Sequence, residues 1–268
     1  MTSLSPTSIL DLTPPPADAR IQYGDARQQF GDLRMPQAIA TGARVPVAVV
    51  IHGGYWRSAY GLDHIGHLCA ALTRAGMATW NLEYRRIGEA GGGWPGSGED
   101  VERGTEYLDE LGKKYPLDLT RVVVIGHSAG GQLALWLAAQ HKMALRGAVS
   151  LAGVLDLRRA WELHLSNNVV EELLGGSPGQ QAERYRKASP IELIPLGVVE
   201  RLVHGVNDDI VPIEMSRRFA AAAAASGDDA RLTEVANAGH FELIDPRTQA
   251  WKQVEAAVLS MVNVAAHP

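Results

Sequence analysis

The stretch Val122-Val123-Val124-Ile125-Gly126-His127-Ser128-Ala129-Gly130 decides the fold of this chain. It joins an apolar run, typical of a buried strand, to a G-x-S-x-G pentapeptide, and an apolar, alanine-rich segment from Gln132 to Ala139 follows as a predicted helix. Glycines on both sides of the serine permit a sharp turn from strand to helix. Such a turn lifts the hydroxyl clear of the sheet, so Ser128 is a candidate nucleophile.

A serine nucleophile needs a base that removes its proton and a carboxylate that orients the base. Asp208 and Asp209 stand in an acidic loop after an apolar segment, and His240 stands in a short loop after the next one. The resulting order of serine, aspartate and histidine is the order of α/β-hydrolases, and it differs from the chymotrypsin and subtilisin orders. At this stage either aspartate can supply the carboxylate.

Most of the chain, from about Tyr23 to the C-terminal helix, resembles an α/β-hydrolase of the esterase and arylformamidase (kynurenine formamidase) branch. The segments that carry the resemblance are His52-Gly53-Gly54-Tyr55-Trp56, Gly126-His127-Ser128-Ala129-Gly130, His204-Gly205-Val206-Asn207-Asp208-Asp209-Ile210-Val211-Pro212 and Gly239-His240-Phe241. The resemblance implies Ser128 as nucleophile, Asp208 as the acid and His240 as the base. Asp209 is then expected to be a solvated loop carboxylate.

The oxyanion hole is predicted in the paired glycines that follow the apolar segment 46–51. Backbone N–H groups of Gly53 and Gly54, together with that of Ala129 after the nucleophile, would stabilise the negative charge of a tetrahedral intermediate. A plain turn after a strand is the alternative interpretation. The segment departs from the HGGG form of many lipases and esterases, and its Tyr55-Trp56 continuation resembles arylformamidases.

Aromatic side chains near this loop are candidates for substrate binding. Tyr55, Trp56 and Trp94 are predicted to contact the substrate, and Trp161 lies in a segment that could overhang the site. The alternative is that the tryptophans only pack the cap against the sheet. We expect short acyl groups, from formyl to butyryl, and an aromatic leaving group, because the short, charged cap offers no extended apolar groove.

Composition and alternation of the predicted elements indicate a single α/β-hydrolase domain of 268 residues, 46% of them hydrophobic. We predict a loosely ordered lead over 1–18, a first hairpin within 19–33, and one domain over 19–268 with a short helical cap around 155–195. Strands are predicted at 46–51, 78–83, 121–126, 147–152, 199–204 and 231–236. Helices are predicted at about 60–75, 98–114, 129–141, 212–226 and 246–263. Together, these strands and helices are predicted to form a mostly parallel central sheet with helices on both faces.

Several classes of partner are disfavoured by the sequence. A net charge of −5 with scattered cations gives no electrostatic footprint for nucleic acid or an anionic membrane. No cofactor or metal is predicted, and His52, His127 and His204 are expected to have structural roles.

The sole cysteine, Cys69, excludes an intramolecular disulfide, and the N-terminus lacks the features of a signal peptide, so a soluble, cytoplasmic protein is expected. The oligomeric state stays open.

These features predict a serine hydrolase that cleaves small esters or activated amides, with arylformamidase-like activity as the specific version. A peptidase of the prolyl oligopeptidase type shares the triad order, but no large propeller segment is seen in the sequence. A non-catalytic binding protein with a hydrolase fold is a third possibility. Such proteins usually lose a member of the triad, whereas Ser128, Asp208 and His240 are all present.

Overall fold

The computed structural model describes Ser5 and residues 7–262 of the chain. Its strands are β1 (Ala19–Gln22), β2 (Phe30–Arg34), β3 (Val45–Ile51), β4 (Ala78–Leu82), β5 (Leu117–His127), β6 (Gly147–Leu151), β7 (Glu200–Gly205) and β8 (Ala230–Val235). Within the described residues they form one eight-stranded sheet in the order β1-β2-β4-β3-β5-β6-β7-β8. Strands β1 and β2 pair as an antiparallel hairpin and β2 pairs antiparallel with β4, whereas the remaining pairs are parallel. The predicted mostly parallel sheet is confirmed.

The helices of the described segment alternate with the parallel strands and lie close to the predicted positions. They are α1 (Gly66–Arg74), α2 (Gly96–Glu106), α3 (Leu108–Gly112), α4 (Ala129–Ala139), α5 (Leu157–Glu162), α6 (Val169–Leu174), α7 (Ala182–Ala188), α8 (Glu214–Ala225) and α9 (Ala250–Val262). A 3₁₀ turn at Leu62–Ile65 precedes α1, so the predicted helix 60–75 begins less regularly than expected.

Two predicted helices have different bounds in the structure. The helix expected at 98–114 begins at Gly96 and is divided at Tyr107 into α2 and α3. The helix expected from 246 begins only at Ala250, because the Asp245 carboxylate accepts a hydrogen bond from the Arg247 N–H and holds a turn there. The predicted helix end at 263 lies outside the described residues.

Both faces of the sheet are covered by apolar layers, which explains the unbroken apolar run before the serine. Val122 and Val124 pack into one layer, against α4 and the cap, while Val123 and Ile125 pack into the other, with α1 and α9. All four side chains are fully buried. Strand β5 therefore holds Ser128 on a rigid support at the carboxyl end of the sheet.

Two segments outside the parallel sheet border this carboxyl end. The region predicted as a cap, 155–195, contains α5, α6 and α7. Of the predicted lead 1–18, residues 1–4 and 6 lie outside the described residues, and Ile9 is only 2% exposed within the layer of α1 and α9. Part of the predicted lead therefore belongs to the packed domain. Among the described helices, none combines the length and apolar character needed to cross a membrane.

Candidate active site

The turn at Ser128 joins β5 to α4 in a strained conformation. Ser128 has φ 57° and ψ −120°, a backbone conformation that residues with side chains rarely adopt. A Cβ atom at Gly126 would lie 1.9 Å from the carbonyl oxygen of Gly130, and one at Gly130 would lie 2.1 Å from that of Ile51. Both positions therefore require glycine. The Ser128 N–H donates to the Leu151 carbonyl at 2.8 Å, which ties the turn to the neighbouring strand β6.

The structure places His240 against Asp208. His240 Nδ1 donates to Asp208 Oδ2 at 2.7 Å, and Asp208 Oδ1 accepts from the N–H groups of Ile210 at 2.9 Å and Val211 at 2.8 Å. Burial acts to raise the pKa of the Asp208 carboxyl, but hydrogen bonds from His204, His240 and the Val211 N–H outweigh it and hold the pKa well below its ordinary value. Asp208 is thus an ionised acceptor that fixes the orientation of His240.

The neighbouring carboxylate has a different environment. Asp209 is exposed and lies on the solvent side of the loop, where it lines a groove with Asn207, Asn237 and Glu242. The geometry therefore brings Asp208, and not Asp209, to the imidazole of His240.

His204 is a fourth neighbour of Asp208, and sequence reasoning missed this contact. Its Nε2 lies 2.9 Å from the Val211 carbonyl oxygen and 3.3 Å from Asp208 Oδ2, and its Nδ1 lies 2.8 Å from the Ser216 hydroxyl. A carbonyl oxygen only accepts, so Nε2 carries the proton. The Ser216 hydroxyl lies within hydrogen-bond distance of Nδ1 and fixes the other side of the ring. The spacing of the histidine four residues before the aspartate is the only signal of this contact in the sequence.

Ser128 and His240 line one cavity of about 290 Å³, together with Gly54, Tyr55 and Phe241. Within the described part of the chain, no hydrogen bond joins the Ser128 hydroxyl to His240. Such bonds are often long without substrate and shorten in the reactive complex. The cavity therefore brings the predicted nucleophile and base to one space that a small ligand can enter.

The loop of Gly53 and Gly54 packs directly on the turn at Ser128. A Cβ atom at Gly53 would lie 2.8 Å from the His127 carbonyl oxygen and 2.9 Å from Ser128 Cβ, so only glycine permits this approach. Gly54 has φ +108° and lines the cavity. In the segment described here, the N–H groups of both glycines lack hydrogen-bond partners, and Ala129 begins helix α4, where N–H groups are free. These donors suit the charge of an oxyanion.

A buried histidine–glutamate pair supports this loop. His52 Nδ1 faces the Gly53 carbonyl at 2.8 Å and Nε2 faces Glu83 Oε1 at 2.9 Å, so both ring nitrogens face an acceptor oxygen. Burial acts to raise the pKa of Glu83, but the charge of His52 and its hydrogen bond lower the pKa below its ordinary value. Tyr84 stacks on the ring and donates its hydroxyl to the His52 carbonyl.

His64 and His127 lie beside His240, and both are poor candidates for a second base. His127 Nε2 donates to the His240 carbonyl at 3.1 Å, and His64 Nε2 lies 3.3 Å from His127 Nδ1. Burial, with the neighbouring charges of His52 and His240, lowers the pKa of His64 to about 3. Burial also lowers the pKa of His127 well below its ordinary value. Among the described residues, no group of three histidine, cysteine or carboxylate side chains is placed to share a metal ion.

The predicted aromatic contacts are corrected in part. Trp56 is fully buried and donates its indole N–H to Gln132 at 3.0 Å, and Trp94 is 8% exposed and packs edge-on against Trp136. Neither lines the cavity beside Ser128. These tryptophans join the loop of Gly53 and Gly54 and the loop before α2 to helix α4, because large rings gain most from burial in the apolar layer.

Tyr55 alone of the three predicted aromatic residues reaches the cavity. Its hydroxyl donates to the Ile210 carbonyl at 2.7 Å, which connects the loop of Gly53 and Gly54 to the loop that carries Asp208. Burial and the charge of Asp208 raise the pKa of Tyr55 to about 12, so the hydroxyl keeps its proton. Trp161 bonds instead to Glu171 within the cap and does not line the cavity.

The doubly covered parallel sheet and the strand–serine–helix turn define an α/β-hydrolase. The chain belongs to the BD-FAE family, whose model matches residues 32–222. This match and the likenesses below confirm the predicted resemblance.

Two curated relatives match parts of the chain. The chain is 26% identical over 226 residues to esterase LipQ of Mycobacterium tuberculosis, an alignment of 76% of this chain and 52% of that protein. It is 29% identical over 182 residues to kynurenine formamidase avaC of Aspergillus versicolor, across 54% of this chain and 61% of that protein. The chain therefore spans between about half and three fifths of the length of these relatives.

Solved structures show the same fold. A truncated carbohydrate esterase from gut microbiota superposes with a TM-score of 0.79 at 20% identity, over 92% of this chain and 99% of that chain. Esterase B from Lactobacillus rhamnosis superposes with a TM-score of 0.80 at 17% identity, over 95% of this chain and 89% of that chain.

Proposed function

We propose that this protein is a serine hydrolase that cleaves small carboxylic esters or activated amides, with Ser128, Asp208 and His240 as its catalytic triad. The observation that carries the proposal is the 2.7 Å hydrogen bond from His240 to buried Asp208, beside a cavity that Ser128 also lines. The kinship to an esterase and a formamidase supports the same class of reaction.

The reaction proceeds by acyl transfer. His240 Nε2 accepts the Ser128 proton as the serine oxygen attacks the substrate carbonyl, and Asp208 stabilises the imidazolium that forms. Backbone N–H groups of Gly53, Gly54 and Ala129 hold the negatively charged oxygen of the intermediate. His240 then gives its proton to the departing alcohol or amine, and an acyl group remains on the serine.

Water completes the cycle by the same groups. His240 removes a proton from the water as it attacks the acyl-enzyme, and then returns a proton to the Ser128 oxygen as the acid leaves. Every proton is transferred within the site, so the sequence of steps needs no cofactor.

Arylformamidase-like activity with short acyl groups is the specific version that we favour. The kinship to a kynurenine formamidase and the aromatic wall of Tyr55 support it. The cavity of about 290 Å³ is near the lower end of the range for small-molecule sites, which favours compact substrates.

Labelling with a fluorophosphonate, read by intact-protein mass, tests the proposed class. We expect one adduct on the wild type and none on Ser128→Ala. Ser166→Ala is the matched control, because Ser166 lines the same cavity but lies on the cap side, away from the strand–helix turn. Labelling and turnover that survive Ser128→Ala but not Ser166→Ala would overturn the assignment of the nucleophile.

The substrate class is tested by kcat/KM for p-nitrophenyl esters from acetate to dodecanoate, and by deformylation of N-formylkynurenine. A maximum at octanoate or beyond would overturn the short-acyl proposal. Ester turnover without deformylation would remove the arylformamidase version and leave the esterase.

A further inference from the structure

An N-terminal segment, defined as residues 7–12, contributes to the cavity beside Ser128. Leu10 lines this cavity although it is more than a hundred positions away from Ser128 in the sequence. Its side chain is 36% exposed, so it stands where the cavity meets solvent. Leu12, two residues further on, is 42% exposed and does not line the cavity.

The segment is fixed to the domain by contacts on either side of Leu10. Ile9 is 2% exposed and packs into the apolar layer that also contains Trp251 of α9. The Ser8 hydroxyl accepts a hydrogen bond from Arg247 Nη2 at 2.9 Å. The Leu12 carbonyl oxygen lies 3.3 Å from His67 Nε2. Leu10 therefore has a defined position relative to the triad.

Local hydrogen bonds hold the shape of the segment. The Leu10 N–H donates to the Thr7 carbonyl at 2.9 Å, and the Leu12 N–H donates to the Ile9 carbonyl at 3.3 Å. Successive turns of this kind point neighbouring side chains in different directions, with Ile9 directed into the core and Leu10 to the cavity.

We propose that Leu10 is a specificity-determining residue, which closes the outer end of the substrate cavity and limits the length of the apolar group that fits. The proposal rests on the proposed hydrolase function. Ile210 and Phe241 line the same cavity, so the group that reaches Leu10 is apolar and compact, such as a short alkyl chain or an aryl ring. A longer group can bind only if it displaces the Leu10 side chain.

The test compares Leu10→Ala and Leu10→Trp with wild type and with the matched control Leu12→Ala. One series varies the acyl chain with a fixed p-nitrophenyl leaving group, and a second varies the aryl leaving group with fixed acetate. One methylene in an apolar pocket changes kcat/KM about 10-fold or more. We therefore expect Leu10→Ala to raise the ratio of kcat/KM for a longer substrate to kcat/KM for the shortest substrate by about this factor. Leu10→Trp should shift the preference the opposite way, and Leu12→Ala should keep the wild-type profile.

The outcomes separate this proposal from the one on which it rests. A shift in the acyl series places Leu10 beside the acyl group, and a shift in the aryl series places it beside the leaving group; both support the proposal. Unchanged profiles in an active, fluorophosphonate-labelled Leu10→Ala, or an equal shift in Leu12→Ala, would overturn it. A wild type without labelling or hydrolysis would overturn the hydrolase function itself.

Discussion

His204 Nε2 lies 3.3 Å from Asp208 Oδ2, and both side chains are completely inaccessible to solvent. Asp208 also accepts hydrogen bonds from two backbone N–H groups and from His240. His204 Nε2 also faces the Val211 carbonyl oxygen at 2.9 Å, so its single proton is shared between that oxygen and Asp208 and adds to the three full donors. A buried carboxylate in this state is held both ionised and fixed in rotation.

Loss of the His204 donor should weaken catalysis without weakening substrate binding. We expect His204→Phe, which keeps an aromatic ring but has no N–H, to lower kcat by about 10- to 100-fold, since an unsatisfied buried group costs about 1–3 kcal/mol. KM should change little, because His204 does not line the cavity. His204→Gln restores a donor and should recover part of the rate.

A second variant separates positioning from general packing. Ser216→Ala removes the hydroxyl that faces His204 Nδ1 and frees the ring to change its protonated nitrogen. We expect a smaller loss in kcat and a shift or broadening of the low-field proton NMR signal of the bond between His240 and Asp208. An unchanged signal and rate in both His204→Phe and Ser216→Ala would show that these residues serve packing only.

The two neighbouring carboxylates should differ strongly on substitution. Asp208→Asn should lower kcat by about three to four orders of magnitude, because the amide favours the wrong histidine tautomer. Asp209→Asn is the matched control, and its exposed side chain predicts a change of less than about threefold. Steady-state kinetics of both variants check this, and an exchange of their ranks would identify Asp209 as the acid.

Much of the sheet could be predicted because its determinants are local in sequence. The apolar run of β5 is unbroken since both faces are covered, and the glycines around Ser128 mark a turn that no other residue permits. Strand β5 nevertheless begins at Leu117, earlier than predicted, because Leu117 pairs with Val45 across an irregularity in β3 that no local pattern reveals.

The contacts of the site were harder to predict, since they depend on the direction of side chains after the chain folds. Trp56 follows cavity-lining Tyr55 but points into the core, and an aromatic pair in a sequence does not show which ring faces which way. Leu10 was missed for a related reason. The N-terminal segment 7–12 is too short for a periodic pattern to be read, and only its tertiary contacts bring it to the site.

The glycine at position 130 should be indispensable for the nucleophile turn. In Gly130→Ala the new methyl group would meet backbone oxygens of Ile51 and His52 at 2.1 and 2.5 Å, so the turn or β3 must shift. We expect loss of fluorophosphonate labelling and a lower free energy of unfolding, by about 1–3 kcal/mol or more. Gly179→Ala is the control, because the nearest atom to its new methyl group would be 4.0 Å away. Normal labelling of Gly130→Ala would contradict the requirement for glycine at this position.

One contribution to stability should fall as the pH rises, because of a buried carboxyl at the opposite end of the sheet. Glu200 is fully buried at the start of β7, and its two carboxyl oxygens have no hydrogen-bond partner among the described residues. Burial, with the charges of Asp228 and Asp229, raises the pKa of Glu200 from 4.5 to about 8. The folded protein therefore keeps Glu200 protonated at a pH where the unfolded chain has already released the proton.

The sign of the pH dependence follows from linkage. Below about pH 4.5 both states bind the proton and Glu200 has no effect, whereas between about 4.5 and 8 only the folded state binds it, so the free energy of unfolding decreases with rising pH. Glutamine cannot ionise, so Glu200→Gln should remove this decrease. We expect the variant to melt at a higher temperature than wild type at pH 8. The difference between the two melting temperatures should shrink toward pH 4.5. Thermal melts across this range provide the measurement, and exposed Glu99→Gln is the control. If the melting temperatures of Glu200→Gln and wild type differ by the same amount at every pH, Glu200 does not titrate in this range.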